Sequence, residues 1–594
     1  MKAALNERNS TSIAPSRLIE GLLFTALVFP NLVFSGLWWH QTLHIMKWFV
    51  AMVPAALLCV LAGVNLALHG RKVRFRLDAF GAAWLFLLLF VMLQPLWTPV
   101  RSTPTFVREW FFLATLWVVY VAASNAFDDE SLPVFLWGAA INGALNVVFA
   151  ELQIYGLNGP FPFILPTPGN YIGNTGQQNM FGLWVAIGLF GLAFLFLISR
   201  KKTLHTWRRR LWTTGVLGLF AVLSWGLWNS TSRSAVLSLA VGVFFLGVML
   251  RRRGDKGMAP RVLALALVIA ATFGGTLLFG RGNAFVMKAR DMVEHVQTIG
   301  KRDSIWATSG TMFLMHPVSG VGLGQFKWNY LDAQERMFKT FPDKDWKYTY
   351  WAHNEVLQWF CETGIFGGLA LLALGAWWLW CWSRGVFSGK RFTNGAVWGA
   401  SFLFMIWFNA LWTRPFHRIE DALWMALAFG LANREILPDG GVLTTIRRGW
   451  IVRLLGAAMA AGAIAGLVFF GNGMIGDRQI RLATETKNAT IQRRYLEKAQ
   501  ERLMVSDIAE RQMAYHFIAL ARATKKGEYL AEGLNRLHAC FLTEPHSREM
   551  NRLIHWYSSI KDKDRLESVA RYLKPGSYRI DVSTPPPIQE DAVP

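Results

Sequence analysis

The chain has 594 residues, 53% of them hydrophobic and 17% charged, and its apolar residues come in runs of about twenty. That pattern excludes a string of soluble domains of about 150 residues each. A net charge of +23 would suggest nucleic acid as partner in a soluble protein, but in a chain of spanning segments it reads as the basic excess of the cytoplasmic loops, and no nucleic-acid partner is expected. A spanning helix needs about 20 apolar residues. Runs of that kind fall at 18–35, 45–68, 79–97, 107–124, 132–154, 179–199, 211–228, 233–250, 262–279, 355–382, 394–412, 419–432 and 451–471. They predict an all-α polytopic membrane protein of about 13 transmembrane helices. The twelfth run is short and begins with Glu420-Asp421, so the number of spans around 413–450 stays open.

Loop charge tests this count. With the N-terminus inside, residues 1–17 and the inner loops 69–78, 200–210, 251–261, 383–393 and 433–450 hold 24 Lys and Arg. The short outer loops hold three, Arg101, Arg414 and Arg418. A missed span would scramble every later loop. Residues 1–17 are polar and the first apolar run is long, so no cleaved signal peptide is expected. Two outer segments are too polar and long for turns, about 280–354 and everything after Asp477. The sequence thus divides into a transmembrane catalytic domain spanning 1–476, a helical domain at 477–581 and a disordered tail at 582–594 that carries Pro585-Pro586-Pro587. In the helical domain Tyr515, Phe517, Ile518 and Leu520 oppose Leu530, Leu534, Leu537 and Phe541, as in a tetratricopeptide-type hairpin. Cys59, Cys361, Cys381 and Cys540 lack metal-site or disulfide spacing and read as packing residues.

Charge near the bilayer is costly and is kept where it binds something. Four polar clusters stand where spans meet the outer face. Asn229-Ser230-Thr231-Ser232-Arg233-Ser234 puts Arg233 at the mouth of a span, where arginine also serves as a snorkelling anchor. Lys301-Arg302-Asp303-Ser304-Ile305-Trp306 precedes the glycine-rich run from His316 to Phe326, which suits either a ligand or a turn. Trp351-Ala352-His353-Asn354-Glu355 places an imidazole of pKa about 6.5 at a helix start, suited to general-base work or to a loop hydrogen bond. Gly173-Asn174-Thr175-Gly176-Gln177-Gln178-Asn179 offers amides to sugar or phosphate oxygens, or simply to water.

In order, these segments give Ser-Arg-Ser-Ala, then Arg-x-x-x-Trp with Pro-x-x-Gly-x-Gly-x-Gly-x-Phe, then His-Asn-x-x-Leu-Gln-x-x-x-Glu-x-Gly-x-x-Gly. The series resembles the O-antigen ligase and polymerase superfamily over about 170–435. The 173–179 segment and the helical C-terminus look most like its bacterial protein O-oligosaccharyltransferases of PglL type, although Asp421 stands where that group carries tyrosine. The resemblance implies a GT-C-like glycosyltransferase of the bacterial inner membrane, its active site facing the periplasm. Its donor is an undecaprenyl-diphosphate-linked glycan and its acceptor a Ser or Thr hydroxyl of a periplasmic or pilin protein. The other acceptor within the resemblance is lipid A core, as for an O-antigen ligase, or a growing polymer. Under it His353 is the catalytic base, and Arg233 and Arg302 hold the diphosphate. Gln177, Asn179, Asn354 and Glu362 orient the glycan or the histidine side of the site. No cofactor and no metal site are expected. A membrane transporter is the competing class, but its polar residues would sit near the membrane midplane.

Overall fold

A computed structural model describes residues 16–34, 36–41, 44–69, 77–199, 206–255, 257–294, 302–437 and 449–574. The expected tail at 582–594 and Lys301 lie outside these residues. Among the described residues the chain is helical and has no strand. Every apolar run read from the sequence overlaps a helix, the first of them, 18–35, only as far as Val28, and ten of these helices are long and apolar enough to cross a membrane. The thirteen expected exceed these ten by Ser16–Val28, Asn394–Ala410 and Ile419–Ile436. The first two are 13 and 17 residues long, and the third carries Glu420, Asp421, Arg434 and Glu435 within 18 residues.

The chain divides into two compact units, one of 1–89, 111–296 and 370–471, the other of 90–110, 297–369 and 472–594. At the heart of the first runs Gln178–Ile198, buried almost throughout its apolar length. It packs against Leu132–Ile154, Thr206–Asn229 and Arg233–Arg253. Small residues let backbones meet where no hydrophobic force draws helices together. A Cβ on Gly63 of Ile45–His69 would lie 2.6 Å from the Gly456 carbonyl oxygen of Gly449–Glu485, and the reverse substitution is as tight.

Segments that the charge count assigns to one side meet one another within this unit. Arg434 pairs with Asp129 at 3.3 Å, the Gly395 amide donates to the same carboxylate at 3.2 Å, and Arg253 donates to Asn394 at 2.7 Å. On the side read as outer, Asn146 and Asn174 donate to the carbonyls of Asn31 and Leu32 at 3.0 and 3.1 Å. There, too, Lys47 reaches Glu420 at 3.2 Å, and Arg418 pairs with both Glu420 and Asp421 at 2.7 Å. All four of these charged side chains are buried.

The second unit is built from segments far apart in sequence. Helices Ser506–Thr524, Gly527–Thr543, Ser547–Ser559 and Lys563–Ala570 stack through Ile518, Leu534, Leu537, Phe541, Leu553 and Tyr557. The same core takes in Leu331 of helix Phe326–Thr340, with Trp346 and Tyr348 packed against it. The C-terminal helices therefore share one core with the segment that leads to His353.

Candidate functional site

Four non-glycine residues among those described have positive φ: Thr231, His353, Lys525 and Lys561. The two lysines follow the ends of helices Ser506–Thr524 and Ser547–Ser559, where a left-handed cap is ordinary. Thr231 likewise follows the end of helix Thr206–Asn229, although a β-branched threonine in that conformation is a genuine outlier, and His353 follows no helix end. Both lie inside the polar clusters that the sequence singles out. Backbone strain of this kind costs about 1–3 kcal/mol and collects at functional sites.

In the second unit His353 sits between two fixed neighbours. The Trp306 indole donates to the Ala352 carbonyl at 3.1 Å, and the Ala352 amide donates to Gln358 at 3.1 Å. On the other side the Asn354 carboxamide accepts the Leu357 amide at 2.9 Å, capping the run Glu355–Phe387. Upstream, the Lys347 carbonyl accepts from Tyr330 and Gln334 at 2.9 and 3.0 Å. Tyr350 hydrogen-bonds His546 of the C-terminal helices, and the Tyr348 ring lies 5.3 Å from the His546 ring. Burial would raise the Glu549 carboxyl beside it, but the His546 hydrogen bond and Arg511 hold it at about 2. The imidazole of His353 is thus presented at the helix start by a segment tied on both sides.

Arg302 opens helix Arg302–Met315, one turn before Trp306 on the same face. The arginine therefore lies on the face of this helix that grips the His353 segment. Glu362 is 1% exposed, and both of its oxygens are taken, one by Gln358 at 3.1 Å and the other by the Gly324 amide at 2.8 Å. Through Gln358 it is linked to Ala352, two hydrogen bonds away, and through Gly324 to the glycine-rich run.

That run docks on a break in the helix. Gly364 has φ 68° and ψ −169°, a conformation open essentially to glycine alone. Its break lets the Ile365 amide donate to the Pro317 carbonyl at 2.8 Å, and frees the Cys361 and Glu362 carbonyls to accept from Val321 and Gly322 at 2.9 and 3.0 Å. A Cβ on Gly364 would sit 2.1 Å from the Val318 carbonyl oxygen. Gly364→Ala is therefore expected to cost about 3 kcal/mol or more and to undo the docking. Thermal unfolding of purified protein checks this, and an unchanged midpoint would show that the break is dispensable.

In the first unit Arg233 starts helix Arg233–Arg253, whose first turn is capped by the Ser232 hydroxyl. Its guanidinium donates to the Lys288 carbonyl, and the Lys288 ammonium donates to Thr231 at 2.7 Å and Gln178 at 3.3 Å. The Arg281 amide donates to Asn229 at 2.6 Å. Burial, then Arg281 and Arg233, pull the Lys288 ammonium below its usual pKa. Three cations thus gather around a strained turn, and none of them pairs with a carboxylate among the described residues. Guanidinium and ammonium groups so placed have the chemistry that suits an anion. Gln177 and Asn179 lie exposed at the start of the neighbouring helix Gln178–Ile198.

Sequence reading missed Arg281 and Lys288. The only signal was their place on a short basic stretch, Arg281 through Arg290, directly after an apolar span. The nearby Asn174 proves to be a staple, since its side chain bonds the backbone of Leu32, Phe163 and Leu165.

No curated protein matches the chain. Residues 218–372 are similar to the O-antigen ligase family, and that stretch holds Arg233, Arg281, Lys288, Arg302, His353, Asn354 and Glu362.

Proposed function

We propose that the chain transfers a glycan en bloc from undecaprenyl diphosphate to a hydroxyl acceptor on the periplasmic face of the inner membrane. The observation that carries this reading is the similarity of residues 218–372 to the O-antigen ligase family, a stretch that holds the left-handed His353 and the cations around Arg233, which pair with no carboxylate among the described residues. The acceptor oxygen bonds the anomeric carbon as the bond from that carbon to the diphosphate oxygen breaks. The electron pair leaves on the diphosphate, and His353 takes the acceptor proton, giving inversion in one displacement. Arg233, with Arg281 and Lys288, and Arg302 hold the charge that develops on the leaving group. Guanidinium forks do this without a metal.

For the acceptor we propose Ser or Thr hydroxyls of a periplasmic or pilin protein. Support comes from the helical array that shares a core with Trp346 and Tyr348, on the segment leading to His353, because stacked hairpins present concave protein-binding surfaces. Transfer to lipid A core is the second reading, favoured by the family similarity itself.

Incubating the purified chain with lipid-linked oligosaccharide and either pilin or lipid A core separates these readings. Donor consumed only with lipid A core would make the chain a ligase, and no consumption with any acceptor would end the transferase reading. Arg233→Ala and Arg302→Ala are expected to raise the donor KM or lower kcat, with Lys rescuing poorly because an ammonium lacks the planar fork. Chelators are expected to leave the rate unchanged, and strong inhibition would bring a metal into the mechanism.

A further inference from the structure

Within the second unit lies a cleft of about 420 Å³ lined by Arg101, His316, Asp332, Arg336, Lys339 and Arg571. None of these residues has a role in the chemistry above. The cleft is at the Met315 end of helix Arg302–Met315, about 20 Å along the helix axis from Arg302.

Its charges are arranged by packing. Asp332 pairs with Arg101 at 2.5 Å and with Arg571 at 3.8 Å, and accepts the Tyr572 hydroxyl at 2.8 Å. Arg101 also donates to the Trp328 carbonyl at 2.6 Å. Two guanidinium groups, one from just before span Thr103–Ala126 and one from the last helices, are thereby fixed around a single carboxylate. Lys339 pairs with Glu335 at 3.0 Å. Arg336 has no partner among the described residues and is exposed. Four cations thus face two carboxylates, leaving two positive charges. Burial and Arg101 pull the pKa of His316 down, against Asp332.

The chain beside the loop that follows His316 exposes apolar side chains. Leu96 is 79% exposed, Leu314 74%, Phe366 63% and Val318 61%. Gln94 and Thr98 donate to the Ser319 carbonyl at 3.4 and 3.5 Å, and the Ile365 amide bonds Pro317. These links gather Leu96, Val318 and Phe366 around the loop that follows His316. A soluble anion has no use for exposed apolar residues beside the loop that follows His316, whereas an amphiphile has a use for both, its phosphate for the arginines and its acyl chains for the apolar residues.

We propose that this cleft binds the phosphate-bearing headgroup of a membrane lipid at the outer edge of the bilayer. The proposal rests on reading 79–96, 103–126 and 355–387 as membrane spans, and not on glycan transfer. Native mass spectrometry of the full-length chain in detergent, titrated with phosphatidylglycerol, phosphatidylcholine or inorganic phosphate, tests it. Phosphatidylglycerol is expected to bind about tenfold tighter than phosphatidylcholine, and the double variant Arg336→Ala/Lys339→Ala to lose that margin. Both residues are exposed, so the variant should fold, and an unchanged thermal midpoint verifies this. Arg571→Gln, with its Asp332 contact reduced to a neutral one, should weaken binding as well. Equal competition by inorganic phosphate would assign the cleft to a soluble anion and overturn the lipid source. Undiminished phosphatidylglycerol binding in the folded double variant would overturn the site itself.

Discussion

Replacing His353 by alanine is expected to lower glycan transfer about 10²- to 10⁴-fold, the usual contribution of a positioned general base, while the chain stays folded. The side chain is only half-buried, and the segment around it is held by backbone and neighbouring groups: Trp306 on the Ala352 carbonyl, Gln358 on the Ala352 amide, and Asn354 on the helix start. Its φ of 53° complicates alanine, which tolerates the left-handed region poorly. Asparagine and glycine adopt it readily. His353→Asn and His353→Gly are therefore the controls: both relieve or preserve the backbone, and both should be as inactive as alanine. Turnover of lipid-linked oligosaccharide by the three variants, beside their thermal midpoints, reads the result. Recovery of activity in the glycine or asparagine variant would mean that the position serves its backbone conformation and that the proton goes elsewhere.

Arg418→Ala is expected to destabilise the first unit by about 3–5 kcal/mol, because it removes one partner from a buried ion network. Arg418 lies 2.7 Å from both Glu420 and Asp421, and Asp421 is fully buried. Glu420 would retain Lys47 at 3.2 Å, but Asp421 would lose the guanidinium that neutralises it at 2.7 Å. Lysine at 418 should recover some of the loss, since one ammonium cannot fork to two carboxylates. A fall in apparent melting temperature and in membrane abundance checks this. Unaltered stability would mean that water or another cation reaches Asp421. The double variant Arg418→Met/Asp421→Leu, which removes a charge of each sign, should be milder than Arg418→Ala.

The spans were legible because twenty apolar residues in a row have few other uses, and because basic loops mark one side. Ile419–Ile436 is a helix, but it is not among the ten long and apolar enough to cross a membrane. What the sequence alone does not show is that its Glu420 meets Lys47, almost four hundred residues earlier. At the site, the His353 segment and the glycine run were legible as motifs, but not their docking. No spacing rule says that Gly364 breaks the helix so that 317–322 can bond its carbonyls. The cations at 281 and 288 were illegible for a related reason. A lysine on a polar helix face looks solvated until a strained Thr231 and Gln178 are found against it. Residues 582–594, read as a disordered tail, fall outside the described residues.

The second unit draws on 90–110, 297–369 and 472–574, and this interleaving has a consequence for biosynthesis. Contacts between such distant segments form late, since the long loops between them must close first. The Trp346 and Tyr348 side chains, on the segment before His353, find their core only against helices that leave the ribosome in the last fifth of the chain. A partly made chain already threaded through the membrane therefore carries Arg302 and His353, but not the helices that complete the core of the segment before His353. Premature termination should yield a chain whose His353 segment lacks its supporting core.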